Sequence, residues 1–116
     1  MLSYDELREK FIGILDLKGI PHTWHSFVQL PSAHCFGSYC VKKADFDGAD
    51  DYAMYRHDTI NLCLFYRGGM TAEDFLLEED LEDAVREAEN YSKISDFDSS
   101  NGLFYSVYTF RCDMRL

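Results

Sequence analysis

Seven residues in the middle of the chain, Ile60-Asn61-Leu62-Cys63-Leu64-Phe65-Tyr66, constrain the fold more than any others. Ile60, Leu62, Leu64 and Tyr66 recur at every second position, the period of a β-strand, and so share one face. Cys63 and Phe65 make the other face apolar in part. A strand of this kind belongs at the centre of a sheet, and the pattern predicts cover on both sides. The strand pattern begins near Ala53, and Arg67-Gly68-Gly69 ends it. The Gly-Gly pair is not a phosphate-binding loop, because no G-K-[ST] follows.

Two amphipathic helices flank this segment. Ser3-Tyr4-Asp5-Glu6 has the spacing of a capping box, with acids in the first turn where the helix dipole favours them. Tyr4, Leu7, Phe11, Ile12 and Leu15 form an apolar stripe, while Arg8, Glu9 and Asp16 face water. Gly19 stops this helix and Pro21 prevents its restart. Thr71 and Asp74 mark the second start. Leu77, Leu81, Ala84, Val85 and Ala88 give its buried stripe. Glu78, Glu79, Glu82, Asp83, Glu87 and Glu89 lie mostly on its open face. A pair such as Glu79 and Asp83 can serve acid–base chemistry, but a charge run on a helix normally reads as a solvated face.

The remaining segments read as strands and turns. His22–Val28 is aromatic and β-branched, hence extended, and Gln29–Ser32 is a loop. Cys35–Val41 alternates, with Cys35, Gly37, Tyr39 and Val41 on one face. Lys42–Asp51 reads as an acidic loop with turn chemistry at Asp47-Gly48. Asp45, Asp47 and Asp51 resemble the start of a calcium loop, but Arg56 stands where the bidentate Glu is required. Tyr91–Asp98 and Leu103–Met114 form a hairpin across Asn101-Gly102. The expected architecture is a single α+β domain over residues 1–116. It has a mainly antiparallel sheet of four to five strands, an N-terminal helix, and a second helix before the last hairpin.

Charge and cysteine usage narrow the function. With 21 acids against 11 bases the net charge is −10. That disfavours sequence-specific nucleic-acid binding and docking on an anionic membrane, both of which need clustered Lys and Arg. No apolar run is long enough to cross a membrane as a helix, and the first residues lack a signal-peptide pattern. Cys35, Cys40, Cys63 and Cys112 form no C-x-x-C pair and read as small core residues. His22 and His25, three apart in an extended segment, fall on opposite faces and do not read as a metal pair. Pairing Cys35, Cys40 or Cys63 with His34 or His57 is a third, enzymatic reading, although no nucleophile turn is present. The expectation is therefore a protein without catalytic residues, metal or cofactor. Eight tyrosines, nine phenylalanines and one tryptophan fit either a core with its margin or a subunit interface.

Leu17-Lys18-Gly19-Ile20-Pro21, Trp24-His25-Ser26-Phe27, Pro31 through Tyr39, and the long run Ala49–Arg67 follow one another in a recognisable order. With the register of Leu81-Glu82-Asp83-Ala84-Val85 and the closing Leu103-Phe104-Tyr105-Ser106-Val107-Tyr108, the chain resembles small tail-terminator and tail-completion (head–tail joining) proteins of tailed bacteriophages and prophages. His34 and Cys35 stand where aliphatic residues are usual, and prolines near Pro31 are fewer.

The resemblance implies a virion protein of the neck and tail, made in the host bacterial cytoplasm. Such proteins form a homo-oligomeric ring, usually a hexamer, that caps the tail tube. Their partners are the major tail protein and the head–tail connector protein, and DNA passes through the ring. The interface residues expected here are Asp45, Phe46, Asp47, Asp50, Asp51, Tyr52, Tyr55 and Tyr105, with the acids repelling passing DNA if they line the lumen. The alternative is an acidic monomeric or dimeric binding module, a DNA-mimic inhibitor or regulator.

Overall fold

In the computed structural model the backbone is described for residues 3–49, 53–88 and 91–115, and side chains for these except 42–49, 53–57 and 113–115. Asp50, Asp51, Tyr52 and Glu89 lie outside the described residues.

The two helices form where their caps require. In α1 (Tyr4–Leu17) Ser3 Oγ accepts from Glu6 N, and Glu6 accepts in return from Ser3 N. At its end Gly19, at φ +67°, turns the chain so that Ile20 N reaches Leu15 O at 2.9 Å. Only glycine takes this left-handed position without strain. In α2 (Ala72–Ala84) Thr71 and Asp74 make the same reciprocal bonds.

Five strands follow the order β1-β2-β3-β5-β4: β1 (His22–Trp24), β2 (Cys35–Ala49), β3 (Ala53–Arg67), β4 (Ser92–Asp98) and β5 (Leu103–Arg115). All neighbours are antiparallel except β1 and β2. The fold is α+β, as the sequence pattern implies. The segment from His22 is shorter as a strand than expected. His25, at φ +64°, turns it away after three residues.

Both helices lie on one face of the sheet. Leu7, Phe11 and Leu15 of α1 and Leu77, Leu81 and Val85 of the α2 region close over Ile60, Leu62, Leu64, Tyr66, Tyr108 and Phe110. Each such apolar side chain contributes about 1.5–3 kcal/mol by leaving water. At Gly37 the approach leaves no room for a side chain: a Cβ there would lie 2.7 Å from Leu15 Cδ1.

β3 is central, but its second face is not covered by a layer. Phe36 stacks on Phe65 at 5.2 Å, and Phe27 meets Phe36 edge-on at 5.4 Å. Arg67 pins the loop that carries Phe27, donating to the carbonyls of Pro31 and Ala33. Cys63, Phe65, Tyr105 and Val107 stay half-buried on this face. α1, which precedes β1, and α2, which links β3 to β4, both pack on the opposite face, so among the described residues the loop between β1 and β2 is what covers this one.

The largest departure from the sequence reading is at residues 42–49. They form strand rather than loop, and pair from Lys43↔Thr59 to Ala49↔Ala53 after a bulge between Val41 and Lys43. Strand propensity spans only about 1 kcal/mol per residue, so seven further ladder pairs outweigh the Asp and Gly content. β5 joins the same extension, to Tyr55↔Arg115. The resulting arm carries the sheet about 20 Å beyond Val41 and Ile60. The molecule measures 51 × 28 × 21 Å, with a radius of gyration of 15.4 Å against roughly 13 Å for a compact chain of this length.

Candidate functional site

The chemistry-bearing side chains gather at α2. Its buried stripe contains not only Leu77, Leu81 and Val85 but also Asp74 and Glu78, at 5% and 3% exposure. Glu78 therefore lies on the sheet side and not on the open face that the charge run suggested. The i, i+4, i+7 spacing from Asp74 through Glu78 to Leu81 places all three on one stripe. That spacing is visible in the sequence, but the carboxylates argue against burial.

Glu78 is held from three sides. Tyr66 Oη donates to Oε2 at 2.6 Å, Tyr108 Oη to Oε1 at 3.4 Å, and Lys93 Nζ lies 2.7 Å from Oε1. Burial works to raise this carboxyl, but bonds from Lys93, Ser106 and Tyr66 outweigh it and hold it below its ordinary value. Both phenols are driven upward, first by burial and then by the adjacent carboxylate. The result is a carboxylate fixed in its charged form between two neutral phenols. Nothing in this arrangement is poised to exchange a proton near neutral pH.

Asp74 faces a cleft. His34 Nε2 lies 2.6 Å from Asp74 Oδ2, the oxygen that also accepts from Thr71 N. The cleft, about 610 Å³, lies between the end of α1, Pro21, the segment 33–35 and the first turns of α2. Cys35 lines it beside His34. Its thiol is pushed up to about 12, first by burial and then by the charges of Asp74 and Glu78. A nucleophilic cysteine needs the opposite shift. The imidazole is engaged by Asp74, so the pairing of Cys35 with His34 lacks an activated thiol. Cys63 is likewise raised to about 11 by burial. His22 bonds Asp16 at 2.7 Å, whereas His25 stands at the turn and meets Trp24 edge-on at 4.8 Å. No group of three or more metal-ligating side chains occurs among the described residues. Among those residues no helix is long and apolar enough to cross a membrane.

Comparison with protein-family models and with curated protein sequences gave no match.

Among the described residues, those expected at an interface fall in two places. Asp45, Phe46, Asp47 and Tyr55 sit in the arm, at the pairs Asp45↔His57, Phe46↔Arg56 and Asp47↔Tyr55. Tyr105 is elsewhere. It lies at mid-sheet beside Phe65, with ring centres 6.4 Å apart, and is half-buried on the face away from the helices. The alternation in β5 identifies its face, but only the pairing with Phe65 and Asp96 places it ten residues from Arg115 at the arm. Exposed apolar side chains that the sequence did not single out are Val28 and Leu30 in the loop, Phe75 and Leu76 on α2, and Ile94 and Phe97 on β4.

Proposed function

We propose that this chain is a structural subunit that assembles with copies of itself and with other virion proteins. More finely, it forms the ring that terminates a bacteriophage tail tube and joins it to the head connector. The observation that carries this reading is the arm. The long strands β2, β3 and β5 draw the 116-residue chain out to 51 Å with a radius of gyration of 15.4 Å, which forgoes part of the compaction that would stabilise a monomer. Such an extension gains from neighbours what it does not gain internally. The α2 chemistry supports the same reading, since Glu78 and its phenols are locked rather than reactive. A net charge of −10 favours a lumen through which DNA slides without sticking.

The test is assembly. Purified protein, alone and mixed with tail tubes of major tail protein, is measured by light scattering after size-exclusion chromatography and imaged by negative-stain electron microscopy. A ring several times the 13.5 kDa chain mass, seated at tube ends, is the expected result. A chain that stays monomeric and leaves tube ends bare would refute the reading.

A further inference from the structure

We infer that two copies of the chain pack face to face through the side of the sheet that the helices leave bare. This goes beyond the ring reading and holds whether or not rings form. Strand alternation places Phe36, Cys63, Phe65, Ile94, Tyr105 and Val107 on that side. Cys63, Phe65, Tyr105 and Val107 are half-buried, and Ile94 is 62% exposed. The only cover among the described residues is the loop after β1. Its Phe27 and Leu30 close a cavity of about 120 Å³ over Phe36 and Phe65.

Charge selects a second copy as the occupant. α1 and α2 together carry eleven acids and two bases, which is −9 of the chain's −10. Among residues whose side chains are described, the bare face carries two of each sign, Arg67 and Arg111 with Asp96 and Asp98. Two copies this acidic repel through their helices and meet without that repulsion through the neutral side. The polar pair within the face is already satisfied, since Thr109 Oγ1 donates to Asn61 Oδ1 at 2.9 Å.

Shape selects the arrangement. The loop stands as a ridge over β2 and β3, held by Arg67 through the Pro31 and Ala33 carbonyls. Val28 on this ridge is fully exposed and Leu30 half-exposed. β5 and β4 form a bare floor beside it, because the strand order continues β2-β3-β5-β4. A two-fold axis along the strands sets each copy's ridge over the other's floor. Val28 and Leu30 then meet Val107 and Ile94 of the second copy. An axis across the strands would set ridge against ridge. The contact is isologous and closes at two copies, with the sheets aligned within about 30° as in β-sandwiches. Four strands by seven residues give about 440 Å² per copy, the size of a transient contact of micromolar strength.

Sedimentation velocity from about 1 to about 300 µM, in about 0.15 M salt, is the test. The wild type is expected to rise from the 13.5 kDa chain mass toward twice that value. Val28→Lys and Ile94→Asp each bring an unpaired charge into the contact and should weaken it about tenfold or more. Both side chains are exposed in the single chain, so neither change disturbs the core. The double variant V28K/I94D sets opposite charges against each other across the two-fold and should recover most of the loss. A wild type still monomeric at the highest concentration, or a dimer that neither single variant weakens, overturns the pairing and leaves the ring reading standing. A double variant weaker than both single ones overturns it as well. Dimers that respond as expected, with tail-tube ends left bare, keep the pairing and remove the ring reading.

Discussion

The hydroxyl of Tyr66, at the centre of the sheet, donates to Glu78 on α2 across 2.6 Å, and both side chains are buried. This bond joins the two layers of the fold by a polar contact where an apolar one would be expected. A charge enclosed in this way is tolerable only when each of its lone pairs is answered. Tyr66, Tyr108 and Lys93 supply those answers, and Lys93 brings the edge strand β4 into the same contact.

Removing the Tyr66 hydroxyl is therefore expected to cost more than an ordinary hydrogen bond. Tyr66→Phe leaves a buried carboxylate oxygen without its donor, for a loss of about 2–3 kcal/mol in urea unfolding at pH 7. Glu78→Gln removes the charge facing Lys93 and is expected to cost about 3 kcal/mol. Because the folded carboxyl is held below the unfolded value of 4.5, its contribution is complete above that pH and is lost as the pH falls through the lower, folded value. The deficit of Glu78→Gln should thus shrink as the pH is lowered from neutral through 4.5 and below. A deficit constant across that range would show that Glu78 is not the ionised anchor.

Gly37 measures the approach of α1 to the sheet. An added Cβ would lie 2.7 Å from Leu15 Cδ1 and 3.0 Å from Phe11 Cζ, both in fully buried side chains, and 3.3 Å from the Cys63 carbonyl. Gly37→Ala is expected to destabilise by about 1–3 kcal/mol through overpacking. Gly37→Ala combined with Leu15→Ala should lose less than the sum of the two single changes, because the second opens the space the first requires. Thermal melts of the three variants check this.

Cys35 should be slow to alkylate. With its thiol at about 12 instead of 9, the thiolate fraction at pH 8 falls about a thousandfold. Mass spectrometry after a short iodoacetamide pulse should find Cys35 labelled far more slowly in the folded protein than after unfolding in guanidinium. Rapid labelling at Cys35 would revive the nucleophile reading that its neighbours Asp74 and Glu78 argue against.

Local chemistry is enough to place most of the elements. Ser3 with Glu6, Thr71 with Asp74, Gly19, and Asn101-Gly102 each act within a few residues of chain, and each marks a helix end or a turn in the folded protein. The two-residue alternation of Ile60–Tyr66 likewise determines the core face of β3, because side-chain direction in a strand follows from position alone. Other features depend on partners far along the chain. Residues 42–49 look like a loop because Asp and Gly disfavour strands, and only the ladder to β3 overrides that preference. Glu78 looks solvated because carboxylates avoid burial, and partners distant in sequence, Tyr66, Lys93, Ser106 and Tyr108, 12, 15, 28 and 30 residues away, make the buried position tolerable. Strand order, and with it the edges left open, is decided in the same way. A backbone group has the same chemistry wherever it stands, and tertiary packing alone determines whether a neighbour meets it.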